Sequence, residues 1–336
     1  MKTIQLITCA CVAAGMMLAG CGPSTGYIVK PVPLDEQLKE TVIASDGGWV
    51  SDKLAIIDID GLLMNARSGG LMGSGENPVA LFVEKMDKAQ DDSRVKSVLL
   101  RINSPGGGVT ASDIMHQRVL RFRKERPDVK VYAIIEDIGA SGAYYVACAA
   151  EKIIAHPTST VGSIGVIVQL VSFSGTLDKL GIEARAITSG KFKDMASPLK
   201  PMNKEDQAVI QKLVDDYYNR FVKVVVDGRK GRLSPDQVRA LADGRVFSAD
   251  QARENGLVDS LQYMDDAITT IKTAAETPRV KIVMYHRPWG NRQNAYSSEA
   301  AIGGSGAAAL GLMNISLEAV TDIGRPRFLY LWTGRN

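Results

Sequence analysis

The chain has 336 residues, 45% hydrophobic, 23% charged and 6% aromatic, a globular composition that excludes a disordered polymer. Its 40 basic and 37 acidic residues leave a net charge of +3, too even for a protein that grips nucleic acid with a basic face. Three histidines are little material for a histidine-rich metal site. Beyond the N-terminus no apolar run nears the ~20 residues needed to span a bilayer.

Residues 1–20 read as a cleaved secretory signal, with Lys2, an apolar run from Ile4 to Ala19, and then small residues. Leu18-Ala19-Gly20-Cys21 is similar to the bacterial lipobox, which makes Cys21 the expected lipidation site. Cys9 and Cys11 leave with the signal, so Cys148 has no disulfide partner and is expected to pack as a small apolar side chain. Residues 21–50, punctuated by Pro23, Pro31 and Pro33, are expected to be a tether with a short helix near Leu34–Ile43. Residues 51–285 read as the main folded domain, and 286–336 as a flexible segment ending in an apolar tail.

Within 51–285, Leu54–Ile59 reads as a first buried strand, Asn65–Asn77 as a Gly-rich loop and Val79–Met86 as a helix. Strands at Val98–Ile102, Val129–Ile135 and Lys152–Ala155 alternate with helices at Ala111–Lys124 and Gly142–Ala150. That alternation predicts β-α-β units and a largely parallel sheet. Asn203 precedes a long amphipathic helix. Ser234-Pro235-Asp236-Gln237 and Ser248-Ala249-Asp250-Gln251 have capping-box form, and Gly256 should stop the second helix. Arg325–Trp332 is apolar and strand-like.

Two turns carry candidate chemistry. Asn103-Ser104-Pro105-Gly106-Gly107-Gly108 follows a strand and opens a helix, where bare backbone N–H groups suit an anion or a developing oxyanion. A phosphate loop is excluded because no Gly-Lys-Ser/Thr follows. Gly139-Ala140-Ser141-Gly142 lies at another strand-to-helix handover, where Ser141 could attack a carbonyl or simply cap the helix. A nucleophilic serine needs a base. His116, His156 and His286 have unpromising contexts, whereas a lysine serves when burial disfavours its ammonium form. Lys191 and Lys193 both qualify, and on an extended strand they would face the same side.

The ordered set Asn103–Gly107, Ala140-Ser141-Gly142-x-Tyr144-Tyr145, Val161–Val166 and Ser189-Gly190-x-x-Lys193-Asp194 resembles the signal peptide peptidase A family of serine–lysine peptidases. Gly244–Ser248 and Gly256–Asp259 extend the likeness, which covers roughly residues 53 to 275. The resemblance implies an α/β fold, the Clp protease/crotonase-like β-α-β spiral with a helical C-terminal part. It implies Ser141 as nucleophile, Lys193 as general base and Ser163 as the hydroxyl that orients the lysine. The N–H groups of Gly107 and Gly142 would form the oxyanion hole, with Gly106 a lesser candidate.

By the same resemblance no metal or other cofactor is expected. The expected partners are released signal peptides, misfolded exported segments and further copies in a ring. Together with the lipobox it places the chain in a bacterial cell envelope, lipid-anchored, with its catalytic domain outside the cytoplasm. Two other classes share the architecture: a crotonase-type acyl-CoA hydratase or isomerase, and a non-catalytic scaffold. Neither gives Ser141 and Lys193 a use in these contexts.

Overall fold

The computed structural model describes residues 37–66, 69–70, 73–74, 76–288, 294–295 and 328–334. The signal at 1–20, Cys21 and most of the segment after residue 288 lie outside the described residues. The first strand, β1 (Lys39–Ser45), corrects the expected short helix near Leu34–Ile43 and lies inside the stretch read as a tether. It pairs antiparallel with β12 (Lys281–His286), and Asp46 ties its end to the Val280 N–H and to Lys272.

The sheet is built from β2 (Lys53–Leu63), β5 (Val95–Gly108), β6 (Lys130–Ala140) and β7 (Lys152–Ala155), all parallel; β3 (Gly69–Gly70) and β4 (Gly73–Ser74) form a separate minimal hairpin. Their apolar runs are continuous because both faces are covered. Alternate residues divide between two cores: Ala55, Ile57, Val98, Leu100, Val131 and Ala133 face one, while Leu54, Ile56, Leu99, Tyr132 and Ile134 face the other. Helices α1 (Pro78–Asp91), α2 (Val109–Glu125) and α3 (Gly142–Ala147) contribute Phe82, Phe122 and Tyr144 to the first core.

β8 (Thr160–Gly162) continues the pairing from the far end of β6, and β9 (Ile167–Val168) leads into the short helix α4 (Ser174–Lys179). The long amphipathic helix α5 (Lys204–Gly228) is capped by Asn203, which accepts from the Asp206 N–H at 2.7 Å. Both predicted capping boxes are present, on α6 (Pro235–Leu241) and α7 (Ala249–Glu254), flanking β10 (Val246–Ser248). β11 (Ser260–Leu261) joins the sheet beside β7, and α8 (Met264–Ala274) covers the second core with Met264, Ala267, Ile268 and Ile271. β13 (Phe328–Leu331) forms from the apolar C-terminal run, pairing with β5 and β9. The architecture is thus the expected Clp protease/crotonase-like α/β arrangement. No helix among the described residues is long and apolar enough to cross a membrane.

The helical C-terminal part is fastened by one buried ion pair. Arg229, just past α5, meets Asp259 at 2.9 Å and donates to the Gly256 carbonyl, while Asp259 also accepts from the Ile153 N–H at 2.7 Å. Burial raises the affinity of the Asp259 carboxyl for its proton, but Arg229 and that N–H outweigh burial and hold it below the ordinary carboxylate range. Asp259→Ala, which strands a buried guanidinium, should cost about 3–5 kcal/mol in a urea melt at neutral pH. The pair's contribution is complete above the unfolded carboxylate value near pH ~4 and fades as pH falls below it. The variant should therefore lose less stability than wild type on acidification.

Candidate active site

Ser141 stands where β6 ends and α3 begins, at φ +52° and ψ −117°, a conformation that L side chains rarely adopt. Such strain costs about 1–3 kcal/mol and persists only where its surroundings enforce it. Here the Ser141 N–H donates to the Gly162 carbonyl at 2.7 Å, and the Ser141 carbonyl accepts from the Tyr145 N–H at 2.9 Å. The residue is 1% exposed, and its Oγ has no hydrogen-bond partner. Ser141 occupies the N-cap position of α3, but its side chain makes no capping hydrogen bond. A buried hydroxyl without a partner costs a further ~1–3 kcal/mol. Backbone strain and an unmade side-chain hydrogen bond at one residue make Ser141 a candidate for chemistry.

Parallel pairing of β6 with β8 sets Ala140 opposite Gly162, so Ser141 and Ser163 are the next residues on neighbouring strands. Ser163 also has positive φ, +49°, is 7% exposed, and donates its N–H to the Arg245 carbonyl at 2.7 Å. The Asn103–Gly108 segment forms the end of β5 and passes directly into α2, between strand and helix as the sequence reading placed it. Gly106, at φ +99°, approaches so closely that a Cβ there would lie 2.6 Å from the Gly142 nitrogen. A Cβ on Gly142 would meet Ser112 Oγ at 2.3 Å and the Gly107 nitrogen at 3.2 Å. The backbone nitrogens of Gly107 and Gly142 are thereby gathered beside Ser141, an arrangement suited to an oxyanion.

Lys193 is not part of this cluster. It lies exposed in an irregular stretch where its N–H donates to the Gly190 carbonyl at 3.0 Å. The stretch is built of turns, so the extended geometry that would align Lys191 with Lys193 is absent. Lys191 forms an ion pair with Glu205 and sits over the Phe192 ring at 5.5 Å. From Gly165 to Glu205 no residue is buried, and Phe173, Leu180, Ile182, Ile187 and Phe192 are exposed. The histidines are equally remote in chemistry. His156 bonds Thr158 and His286 bonds Thr41. Burial pushes His116 down to about 4 against the Tyr145 ring. Cys148 is buried, with its thiol pushed up to about 12 by burial, and is inert packing as expected. No cluster of His, Cys, Asp or Glu fit to hold a metal ion occurs among the described residues.

The strand-like C-terminal run of the sequence reading forms β13, and its place at this site was not legible in the sequence. β13 lies antiparallel to the end of β5, with Gly106 opposite Leu331 and Gly107 opposite Tyr330, and Trp332 N–H donates to the Pro105 carbonyl at 2.9 Å. A Cβ on Gly106 would lie 2.1 Å from the Tyr330 carbonyl oxygen. The run Arg325–Trp332 signalled a strand, but nothing local specified a partner more than 200 residues away.

The model of Peptidase family S49 matches residues 123–277. A protein of Enterococcus faecium named for signal peptide peptidase SppA is 35% identical over 71% of this chain and 68% of its own length. Protease 4 of Haemophilus influenzae is 32% identical over 65% of this chain, which spans 34% of that protein. The chloroplastic serine protease SPPA of Arabidopsis thaliana is 28% identical over 75% of this chain and 37% of its own. These names are peptidase names, and none favours acyl-CoA chemistry. With a family match over residues 123–277 and relatives of this kind, the chain belongs to peptidase family S49 and is a serine peptidase.

Proposed function

We propose that this peptidase cleaves apolar peptides, released signal peptides among them, with Ser141 as nucleophile and Lys193 as general base. The observation that carries the reading is the buried, strained and unpartnered Ser141 hydroxyl beside the Gly107 and Gly142 amides. The neutral Lys193 amine takes the Ser141 proton as Oγ attacks the scissile carbonyl, and the amides hold the resulting oxyanion. The proton then passes to the leaving amine, and water, activated by the same amine, hydrolyses the acyl-enzyme. Ser163 orients the amine.

Within one chain Ser141 Oγ has no partner, and Lys193 sits on an exposed arm rich in apolar side chains. Such an arm calls for a covering surface. A neighbouring copy supplies it, and the dyad is completed between copies of a ring, each arm bringing Lys193 to the next Ser141. Covering the arm also dries the amine, which favours the neutral, competent form. The lipobox-like Leu18–Cys21 supports a lipid anchor that holds this assembly on a membrane of a bacterial envelope, with the catalytic domain outside the cytoplasm.

Turnover of a short apolar peptide should vanish in Ser141→Ala and fall about 100- to 10,000-fold in Lys193→Ala. Lys193→Arg should give no rescue, because guanidinium does not deprotonate, and Lys191→Ala should change turnover by only a small factor. Because only the neutral amine accepts the proton, wild-type turnover should rise with pH. Mixing Ser141→Ala with Lys193→Ala subunits should restore activity. With random assembly, half the serine donors and half the lysine donors are intact, so about a quarter of the sites recover. A mixture as dead as its components would place both groups in one chain.

The anchor is tested separately. Cys21→Ala should abolish metabolic acyl labelling and release the protein from the membrane fraction. Acyl label persisting on that variant would remove the lipid anchor from the account.

A further inference from the structure

Lys193 is followed by Asp194, so the residue that must lose its proton adjoins a carboxylate, a group that favours the ammonium form of a nearby lysine. What Asp194 pairs with therefore bears on the base. Its Oδ1 accepts from the Lys200 ammonium at 2.7 Å, and the same Nζ lies 3.1 Å from Asp206 Oδ2. Lys200 thus bridges two carboxylates, one on the arm and one on α5. They differ in burial: Asp194 is half-buried, whereas Asp206 is 1% exposed. A buried carboxylate needs a cation, and Lys200 supplies it.

Asp206 is itself well held. It lies in the first turn of α5, where its N–H donates to the Asn203 side chain, and Ile210, Phe221 and Val225 root that helix in the core. The stretch that carries Lys193 bonds instead to itself. Its backbone N–H groups donate from Lys193 to Gly190, from Met195 to Phe192 and from Ser197 to Asp194. The Asp194–Lys200–Asp206 bridge links these turns to a residue held by the core. A second link, Lys191 to Glu205, is exposed at both ends and contributes little. Lys204, the other charged residue in that turn of α5, is exposed. The bridge also sets protonation. Its hydrogen bond to Lys200 holds the Asp194 carboxyl below the ordinary carboxylate range, and Asp194, with Asp206, raises Lys200 above an ordinary lysine. Lys200 therefore stays an ammonium where Lys193 must be neutral, which excludes it as the base although it lies on the same arm.

We infer that Lys200 is a positioning residue for the base: it ties the Lys193 turn to α5 and occupies the Asp194 carboxylate, which would otherwise favour Lys193 as its ammonium. This rests on the reading of Lys193 as general base and adds a residue that the sequence motifs did not single out.

The test is hydrolysis of an internally quenched alanine–leucine peptide by the full chain, read as kcat and KM across pH, with a urea melt of each variant. Lys200→Met should lower kcat about 10- to 100-fold with KM within about twofold of wild type. It should also move the rise of kcat with pH upward by about one unit, because Asp194 is left without its cation. Lys200→Arg, whose guanidinium can hold both carboxylates, should bring kcat back to within about threefold of wild type. In case Lys200→Met fails to fold by stranding the buried Asp206, Asp194→Asn is the second variant. It should lower kcat about tenfold at every pH, with the urea midpoint and the position of the rise unchanged. Glu205→Gln, which breaks the exposed pair, should leave kcat as it is. With Lys193→Ala inactive, wild-type kcat in both Lys200→Met and Asp194→Asn would overturn the positioning role and leave the base in place. So would a loss in Lys200→Met that Lys200→Arg does not recover. A lowered urea midpoint with kcat and its pH profile unmoved would make the bridge a purely structural contact. Wild-type turnover in Lys193→Ala would remove the base itself, and the positioning role with it.

Discussion

The hydrogen bond from the Ser141 N–H to the Gly162 carbonyl is the constraint on which the site depends. It joins the end of β6 to the end of β8 and accompanies a positive φ at a non-glycine N-cap residue whose side chain makes no capping bond. The energy behind it comes from the sheet. β6 is buried on both faces from Val131 to Ile135, so its end is presented rigidly. The partner segment is held in turn by Ser163 on the Arg245 carbonyl and by β8 pairing with β10. The two positive-φ serines, Ser141 and Ser163, thus follow the ends of the same pair of strands.

The second constraint is backbone proximity. The end of β5 and the start of α3 approach until Gly106, Gly107 and Gly142 leave no room for a Cβ. A side chain at Gly142 would strike Ser112 Oγ, and one at Gly107 would strike the Leu63 carbonyl at 2.0 Å. The closeness that excludes side chains brings two amide nitrogens to one place. It also lets a peptide strand lie against β5, as β13 does.

Much of this was legible because it is local. The apolar runs of β2, β5 and β6 announced a sheet covered on both faces, and the Ser234 and Ser248 boxes announced helix starts that formed as read. Ser141, Ser163, Gly107 and Gly142 stood out through ordered short motifs, and the structure gathers them. What failed was non-local. β1 looked helical by its own residues but is an edge strand dictated by β12. The glycines of β5 read as a strand-to-helix turn, but the sequence did not show that β2 and β13 would pair with them on either side, with Gly106 at φ +99°. The position of Lys193 was beyond local reading, since spacing says nothing about an arm that the chain's own core leaves uncovered.

Within a single chain the Ser141 hydroxyl has no partner, and Lys193 lies on an arm that the chain's own core leaves uncovered. The proposed dyad requires that Ser141 Oγ be the reactive atom. The most direct measurement is tryptic mass spectrometry of the assembled protein after exposure to a fluorophosphonate, which phosphonylates an activated serine Oγ. The account predicts one stoichiometric adduct on the peptide containing Ser141, competed away by apolar peptide substrate. An adduct on another serine that tracks loss of hydrolysis, with Ser141 unmodified, would contradict it.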